Sequence, residues 1–158
     1  MKLPLTVFAL IILASPAYAD TAASQNRAVG LLGPGLRVEN LERELSFYVD
    51  GLGMTKLMQM GSPQYRETML GFDGGLGQPG LILITDTTKS PPQPLQLGTA
   101  FDKLVFRVVG LDGVVAKLRK LGFVVSDIHN AAKGYQNAIA TDAQGYKVEL
   151  VESARKGN

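Results

Sequence analysis

Side chains with obvious catalytic chemistry are scarce in this sequence. Of 158 residues one is histidine, His129, and none is cysteine or tryptophan. No set of nucleophile, base and base-orienting group is visible, so acyl-transfer chemistry has little to work with. Gly74-Gly75 is not followed by the Lys-Ser/Thr pair of a phosphate-cradling loop and reads as a turn. The remaining candidates are charged and soft side chains in alternating segments. They are Arg37 in GLRVEN, Tyr65, Glu67 and Met69 in YRETML, Lys103 and Arg107 in FDKLVFRV, and Glu149 in KVELVE. The two guanidiniums suit a carboxylate or phosphate on a ligand. Glu67 is a conceivable general base. Met54, Met58, Met60 and Met69 supply adaptable surface that fills a core or lines a pocket.

Positioning these residues requires strands and helices, and the chain writes the necessary unit twice. Leu36, Arg37, Val38 and Leu41 recur as Phe106, Arg107, Val108 and Leu111, and Leu52-Gly53-Met54 recurs as Leu121-Gly122-Phe123. Two copies are too few for a solenoid and suit a pseudo-symmetric pair of modules. Leu41, Leu45, Tyr48 and Leu52 recur at helical spacing, with Asn40 as N-cap and Gly51 or Gly53 as the stop. A second helix carries Leu111, Val114, Val115, Leu118 and Leu121 inward. Lys117, Arg119 and Lys120 suit its C-terminal dipole, and Gly122 ends it. Strands are expected near 55–60, 65–72 and 81–85, then 123–128, 136–142 and 147–151, separated by Gly- and Pro-containing turns. The order is βαβββ twice, which is an α+β class.

The ends and the middle have a different character. Lys2, the apolar run Leu3 to Ala14, Pro16 and Ala17-Tyr18-Ala19 have the layout of a cleavable secretory signal over 1–19. The run is shorter than the roughly 20 apolar residues of a membrane span, so no anchor is expected after cleavage. Export, to the periplasm or the medium, is the expectation. Residues 20–30 read as a flexible leader and 31–152 as a single domain. Its modules, about 31–86 and 101–152, are joined by the Pro-rich linker 87–100, and 153–158 is a polar tail. With 16 basic and 14 acidic residues, net charge +2 and no basic stripe, a nucleic-acid partner is not expected.

LRVENLERELSFYVDGLGM, the pair YRETMLGF and GLILITD, KLVFRV with its helix, and DAQGYKVELVE resemble the glyoxalase I, bleomycin-resistance and extradiol-dioxygenase superfamily, the vicinal oxygen chelate (VOC) fold. The resemblance spans nearly all of Leu32 to Glu152. It implies two βαβββ modules paired into a curled mixed sheet around a shared cleft. In metal-dependent members that cleft holds one divalent ion, usually through His and Glu from each half. Carried across, the first His falls on Gly33, the second on Lys103, the first Glu on Ile82 or Leu83, and only the second Glu is matched, by Glu149. One carboxylate is not a multi-ligand shell. No cofactor is therefore expected, and a divalent metal only through ligands outside the family set or contributed across a dimer.

Strand alternation puts Val148 and Leu150 on one face and Glu149 on the other. By the same rule Leu36, Val38, Leu104, Phe106 and Val108 face the helices. Gly33, Gly35, Arg37, Lys103, Val105 and Arg107 then face the cleft, which is expected to collect Arg37, Lys103, Arg107 and Glu149. Lys103 is expected to pair with Glu149, a fixed cation in place of a bound one. The pair either takes part in chemistry or is purely structural, so catalytic candidacy attaches only weakly to Glu149, Lys103 and Glu67. Arg37 matches an arginine that anchors the glutathione carboxylate in glyoxalase I relatives. Arg37, Lys103, Arg107, Glu149, Tyr65 and Met69 are the expected ligand contacts. Two functions follow: a metal-free homodimer binding a small anionic or aromatic molecule, or a lyase or isomerase of the glyoxalase kind.

Overall fold

The chain is described by a computed structural model at residues 30–153, apart from 73, 74, 76, 77, 79, 89–93, 132 and 133. The expected signal at 1–19, most of the leader, the middle of the linker and most of the tail lie outside the described residues. The first module runs β1 (Gly35–Arg37), α1 (Leu41–Leu45), β2 (Thr55–Gly61), β3 (Tyr65–Gly71) and β4 (Leu81–Asp86). The second runs β5 (Leu104–Arg107), α2 (Leu111–Lys120), β6 (Val124–Val125), β7 (His129–Asn130), β8 (Tyr135–Thr141) and β9 (Lys147–Ser153). The class is α+β, as the two copies of the sequence unit predict. Each module keeps its own mixed sheet, of four strands in the order β1-β4-β3-β2 and of five in the order β5-β9-β8-β6, with β7 also on β8. Neither sheet closes into a barrel. In both, the short first strand pairs parallel with the last, Arg37 opposite Ile84 and Val105 opposite Glu149.

The first helix starts as its sequence predicts. Asn40 Oδ1 accepts the Arg43 amide at 3.0 Å, satisfying one of the donors that a helix start leaves unpaired. After Leu45 the α repeat gives way to π-type turns over Ser46–Gly51, with the Leu52 amide reaching back to Phe47 O at 3.1 Å. The inward stripe therefore differs from the one read at ideal helical spacing. Tyr48 is fully buried, but Leu41, Leu45 and Leu52 are only half-buried, and Glu44 and Phe47 take the innermost places. The left-handed stop is Gly53, at φ 78°. Gly51 serves the approach of the helices, because a Cβ there would lie 2.4 Å from Leu118 Cδ2.

The second helix buries Leu111, Val115 and Leu118, and Gly122 ends it at φ 83°. Gly110 has no side chain to cap it. Glu152 on β9 supplies the cap instead, accepting the Gly110 amide at 2.7 Å and the Leu111 amide at 2.9 Å. The strand expected over 123–128 is shortened to β6, Val124–Val125, and β7 follows beyond its expected end at His129–Asn130. Ser126 Oγ accepts the Ile139 amide at 2.9 Å, a side-chain bond in place of a ladder bond. Arg119 holds the same bend, donating to the Val125 and Ser126 carbonyls and to Asp127.

Both helices and the inner faces of both sheets share one core, from Leu36 and Leu83 in the first module to Ala138 and Leu150 in the second. The modules meet at Phe47 and Phe123, edge to face at 4.9 Å, and at a bond from Tyr48 OH to Asp142 Oδ2 of 2.6 Å. Arg43 lies 4.0 Å from the centre of the Phe123 ring and donates to Leu121 O at 2.9 Å. Leu118, with no exposed surface, fills the space against Gly51. Leu118→Ala should lower unfolding stability by about 2–5 kcal/mol, seen as a lower urea midpoint with an unchanged slope.

Candidate functional site

Packing the helices inward leaves the opposite face of each sheet open, and the candidate residues stand on those faces. On the first sheet the register sets Met69 between Met58 and Ile82, and Glu67 between Met60 and Ile84. Tyr65 lies opposite Asp86 on the same face, and its hydroxyl donates to Glu67 Oε1 at 3.3 Å. Tyr65, Glu67 and Met69 thus share a face as alternation predicts. Met69 is buried, whereas Met58 and Met60 are 42% and 46% exposed. Met54 is part of the core and plays no part on this face.

Arg37 has a partner that sequence reasoning missed. Its guanidinium pairs with Asp86, whose side chain is only 10% exposed and also accepts the Thr88 amide and hydroxyl at 3.0 and 2.6 Å. The signal was present, since Ile82, Ile84 and Asp86 alternate onto the face that carries Arg37. Around this pair a hollow of about 710 Å³ is lined by Arg37, Glu39, Ile84, Thr87, Leu95 and Gln96 among others. The linker forms one wall of it, held by Glu39 Oε1, which accepts the Leu95 amide at 2.8 Å.

On the second sheet Lys103 Nζ lies 2.9 Å from Glu149 Oε2, and Asn137 Nδ2 donates to Glu149 Oε1 at 2.6 Å. Asn137 is the second partner that sequence reasoning missed, although 137 and 139 alternate with the buried Ala138 and Ala140. The Lys103 and Asn137 bonds hold the Glu149 carboxyl below the usual carboxylate range, and the bond to Glu149 raises the Lys103 ammonium. Arg107 is exposed on this face, with no ion pair among the described residues. His129 stands opposite Asn137 in the register. The four residues expected to gather are therefore divided. Lys103, Arg107 and Glu149 are on one sheet, Arg37 on the other, and no ion pair or hydrogen bond among the described residues joins Arg37 to that group.

The positions that the family resemblance assigns to a divalent metal can be tested for fit. A Cβ at Gly33 would lie 2.2 Å from Gly80 O, so the backbone leaves no room for a side chain there. Register places Ile82 opposite Gly35 on the open face, while Leu83 is fully buried, so the position in question is Ile82. Lys103 is a cation, and both Glu149 oxygens are already engaged. Among the described residues no group of three or more His, Cys, Asp or Glu could hold a metal ion. This donor set does not fit the ion, and no step is derived through one.

Comparison with known proteins gives a consistent result. A model of the Glyoxalase/Bleomycin resistance protein/Dioxygenase superfamily matches residues 28–150. A lactoylglutathione lyase of Escherichia coli O157:H7 is 32% identical over 129 residues, 80% of this chain and 95% of that protein. Among solved structures, the trypanothione-dependent glyoxalase I of Leishmania major aligns at TM-score 0.66 and 24% identity, over 79% of this chain and 87% of that one. TnmS3, an antibiotic binding protein from Streptomyces sp. CB03234, aligns at 0.61 and 20% identity, over 80% and 98%.

The pH behaviour of the Lys103–Glu149 pair follows from the two directions. A carboxyl held low contributes stability above its unfolded pKa and loses it as pH falls through the folded value. An ammonium held high contributes below its unfolded pKa and loses it as pH rises through the folded value. The contribution is flat across neutral pH and fades at both extremes. In Lys103→Met the Glu149 carboxyl should titrate at higher pH than in the wild type, read by carbonyl NMR. The difference in Tm between the two proteins should shrink in acid.

Proposed function

Because the chain belongs to the glyoxalase/bleomycin resistance protein/dioxygenase superfamily, we propose that it is an exported, metal-independent binding protein of that family, taking a small anionic or aromatic molecule. The observation that carries this reading is the closed state of Glu149, with one oxygen on Lys103 and the other on Asn137. A fixed ammonium stands there where the resemblance implies a bound cation. The carboxylate is satisfied, so the energetic penalty of a half-buried unpaired charge, which would otherwise favour binding an ion, is removed.

Ligand chemistry follows from the open faces. Arg37, half exposed beside Asp86, can turn its free donors to a carboxylate or phosphate. The adjoining hollow of about 710 Å³ is within the size range of small-molecule sites. Tyr65 and the methionines offer polarizable apolar contact for a ring. Exposed Met58, Met60 and Val105 leave apolar area on both sheets that a second copy of the chain would cover, which supports a homodimer. The sequence of residues 1–19 supports export. The antibiotic-binding character of TnmS3 is consistent with a binder on this fold.

A second reading has its own observation. The lactoylglutathione lyase of Escherichia coli O157:H7 aligns over 95% of its length, so the whole relative, and not a fragment, is represented. Under this reading the protein is a lyase or isomerase working without metal or with displaced ligands, with Glu149, Lys103 and Glu67 as the candidates for acid and base work.

Two measurements separate the readings, and two more test the ligand site and export. Elemental analysis of the purified protein, with Tm taken with and without chelator, should show no stoichiometric metal and no shift. Metal that raises Tm would overturn the binder reading. An assay for lactoylglutathione formation with added divalent metals should give no turnover, and turnover would favour the lyase. Arg37→Met should weaken a carboxylate-bearing ligand by about tenfold or more in calorimetry, and unchanged affinity would remove Arg37 from the site. N-terminal sequencing of the exported protein should begin at Asp20.

A further inference from the structure

The seam between the modules contains a buried carboxyl group without a hydrogen-bond partner among the described residues. Glu44, on the last turn of α1, is 1% exposed, and neither of its carboxylate oxygens has a hydrogen-bond partner among the described residues. One helical turn on, Tyr48 is fully buried and donates to Asp142 Oδ2. Asp142 lies in the β8–β9 turn of the other module, 5% exposed. Its Oδ1 accepts the amides of Gln144, Gly145 and Tyr146 at 3.1, 3.0 and 2.8 Å. Two carboxyl groups therefore lie on either side of the seam, Asp142 with four hydrogen-bond donors and Glu44 with none in bonding geometry among the described residues.

We infer that Glu44, Tyr48 and Asp142 form a proton-controlled latch between the two modules, closed while Glu44 is protonated and loosened when it ionises. The division of roles follows from the donors. Asp142 can be an anion in place, because four N–H and O–H groups point at it. Glu44 cannot, because a second negative charge would lie unpaired beside the first in a dry seam. Arg43, its neighbour on the helix, is the one cation near it and favours ionisation, but its guanidinium points to Leu121 O and the Phe123 ring, and burial and Asp142 outweigh it. Tyr146 across the seam is neutral, and its hydroxyl donates to Arg37 O at 3.2 Å. The amides of Gln144 and Ala143 favour ionisation, but less than burial and Asp142 oppose it, and neither makes a hydrogen bond of normal geometry to Glu44.

Burial first, and then the charge of Asp142, push the Glu44 carboxyl up to about 8. Burial raises Asp142 as well, against its hydrogen bonds. A carboxyl raised in the folded state binds its proton more tightly there than in the unfolded chain. Stability is then full in acid and falls as pH climbs from the ordinary carboxylate range to the folded value. The π-type turns that begin at Ser46 lie directly beside the latch, a break in the α repeat where the helix can yield. Loosening would change how the module that carries Arg37 and Asp86 sits against the module that carries Lys103 and Glu149.

The test compares the full-length protein with Glu44→Gln, which keeps the shape and removes the charge. Between about pH 5.5 and 8.5 the wild-type Tm should fall markedly more than that of the variant. Hydrogen exchange at the Gln144, Gly145 and Tyr146 amides, compared at equal pH so that intrinsic rates cancel, should match at the lower pH. At the higher pH the wild type should exchange at least about tenfold faster. Equal protection at both pH values, or parallel Tm curves, would overturn the latch. If the variant fails to fold, a carboxyl-carbon NMR titration of Glu44 in the native chain decides the matter. Ionisation near pH 8 with accompanying shifts at Tyr146 supports the latch, and ionisation in the ordinary carboxylate range overturns it.

Discussion

The arrangement of the whole molecule depends on one buried contact region, where the first helix enters the second module. Tyr48 reaches Asp142 and Phe47 stands against Phe123, so two units that could each have covered their own core instead share one. No disulfide assists, since the chain has no cysteine. The seam combines a large apolar contact with a polar group that tolerates few alternative positions. That combination fixes how one module is set against the other.

Turning the helices inward has a direct consequence for the charged residues. The strand faces that do not touch the core are the ones that carry Arg37, Lys103, Arg107 and Glu149. On these open faces Arg37 and Lys103 each find a partner on their own sheet, while Arg107 has no ion pair among the described residues. Arg37 takes Asp86 from the strand beside it, and Lys103 and Asn137 take Glu149. The outcome is two local ion-pair centres in place of one, and the hollow beside Arg37 is walled by the linker.

Membership of the superfamily coexists here with residues at the expected ligand positions that do not form a metal-binding group among the described residues. The family pattern resides in apolar spacing, glycines and a helix cap, all of which serve packing. The positions that the resemblance assigns to metal ligands lie outside the shared core, at Gly33 against the Gly80 carbonyl and on the open strand faces at Ile82, Lys103 and Glu149. A glycine that abuts the Gly80 carbonyl, an isoleucine and a lysine can stand there while the sheets remain the same. The fold by itself therefore does not assign a reaction.

Much of the fold was legible from the residues alone. Alternation assigned the faces of β1, β5 and β9 and grouped Tyr65, Glu67 and Met69 on one face of β3, because successive side chains on a regular strand point to opposite sides. Asn40 and Gly122 marked helix ends for equally local reasons. The Lys103–Glu149 pair was also legible, being opposite charges on adjacent parallel strands. Tertiary structure alone decided the rest. No periodicity shows that Glu44 is innermost, because a charged residue at that position reads as solvent-facing until the other module covers it. The π-type turn, the capping of α2 by a glutamate far along the chain, and the Arg37–Asp86 partnership all depend on which segments meet. Local sequence sets what a residue can do within a few positions, while long-range packing decides which distant group stands opposite it.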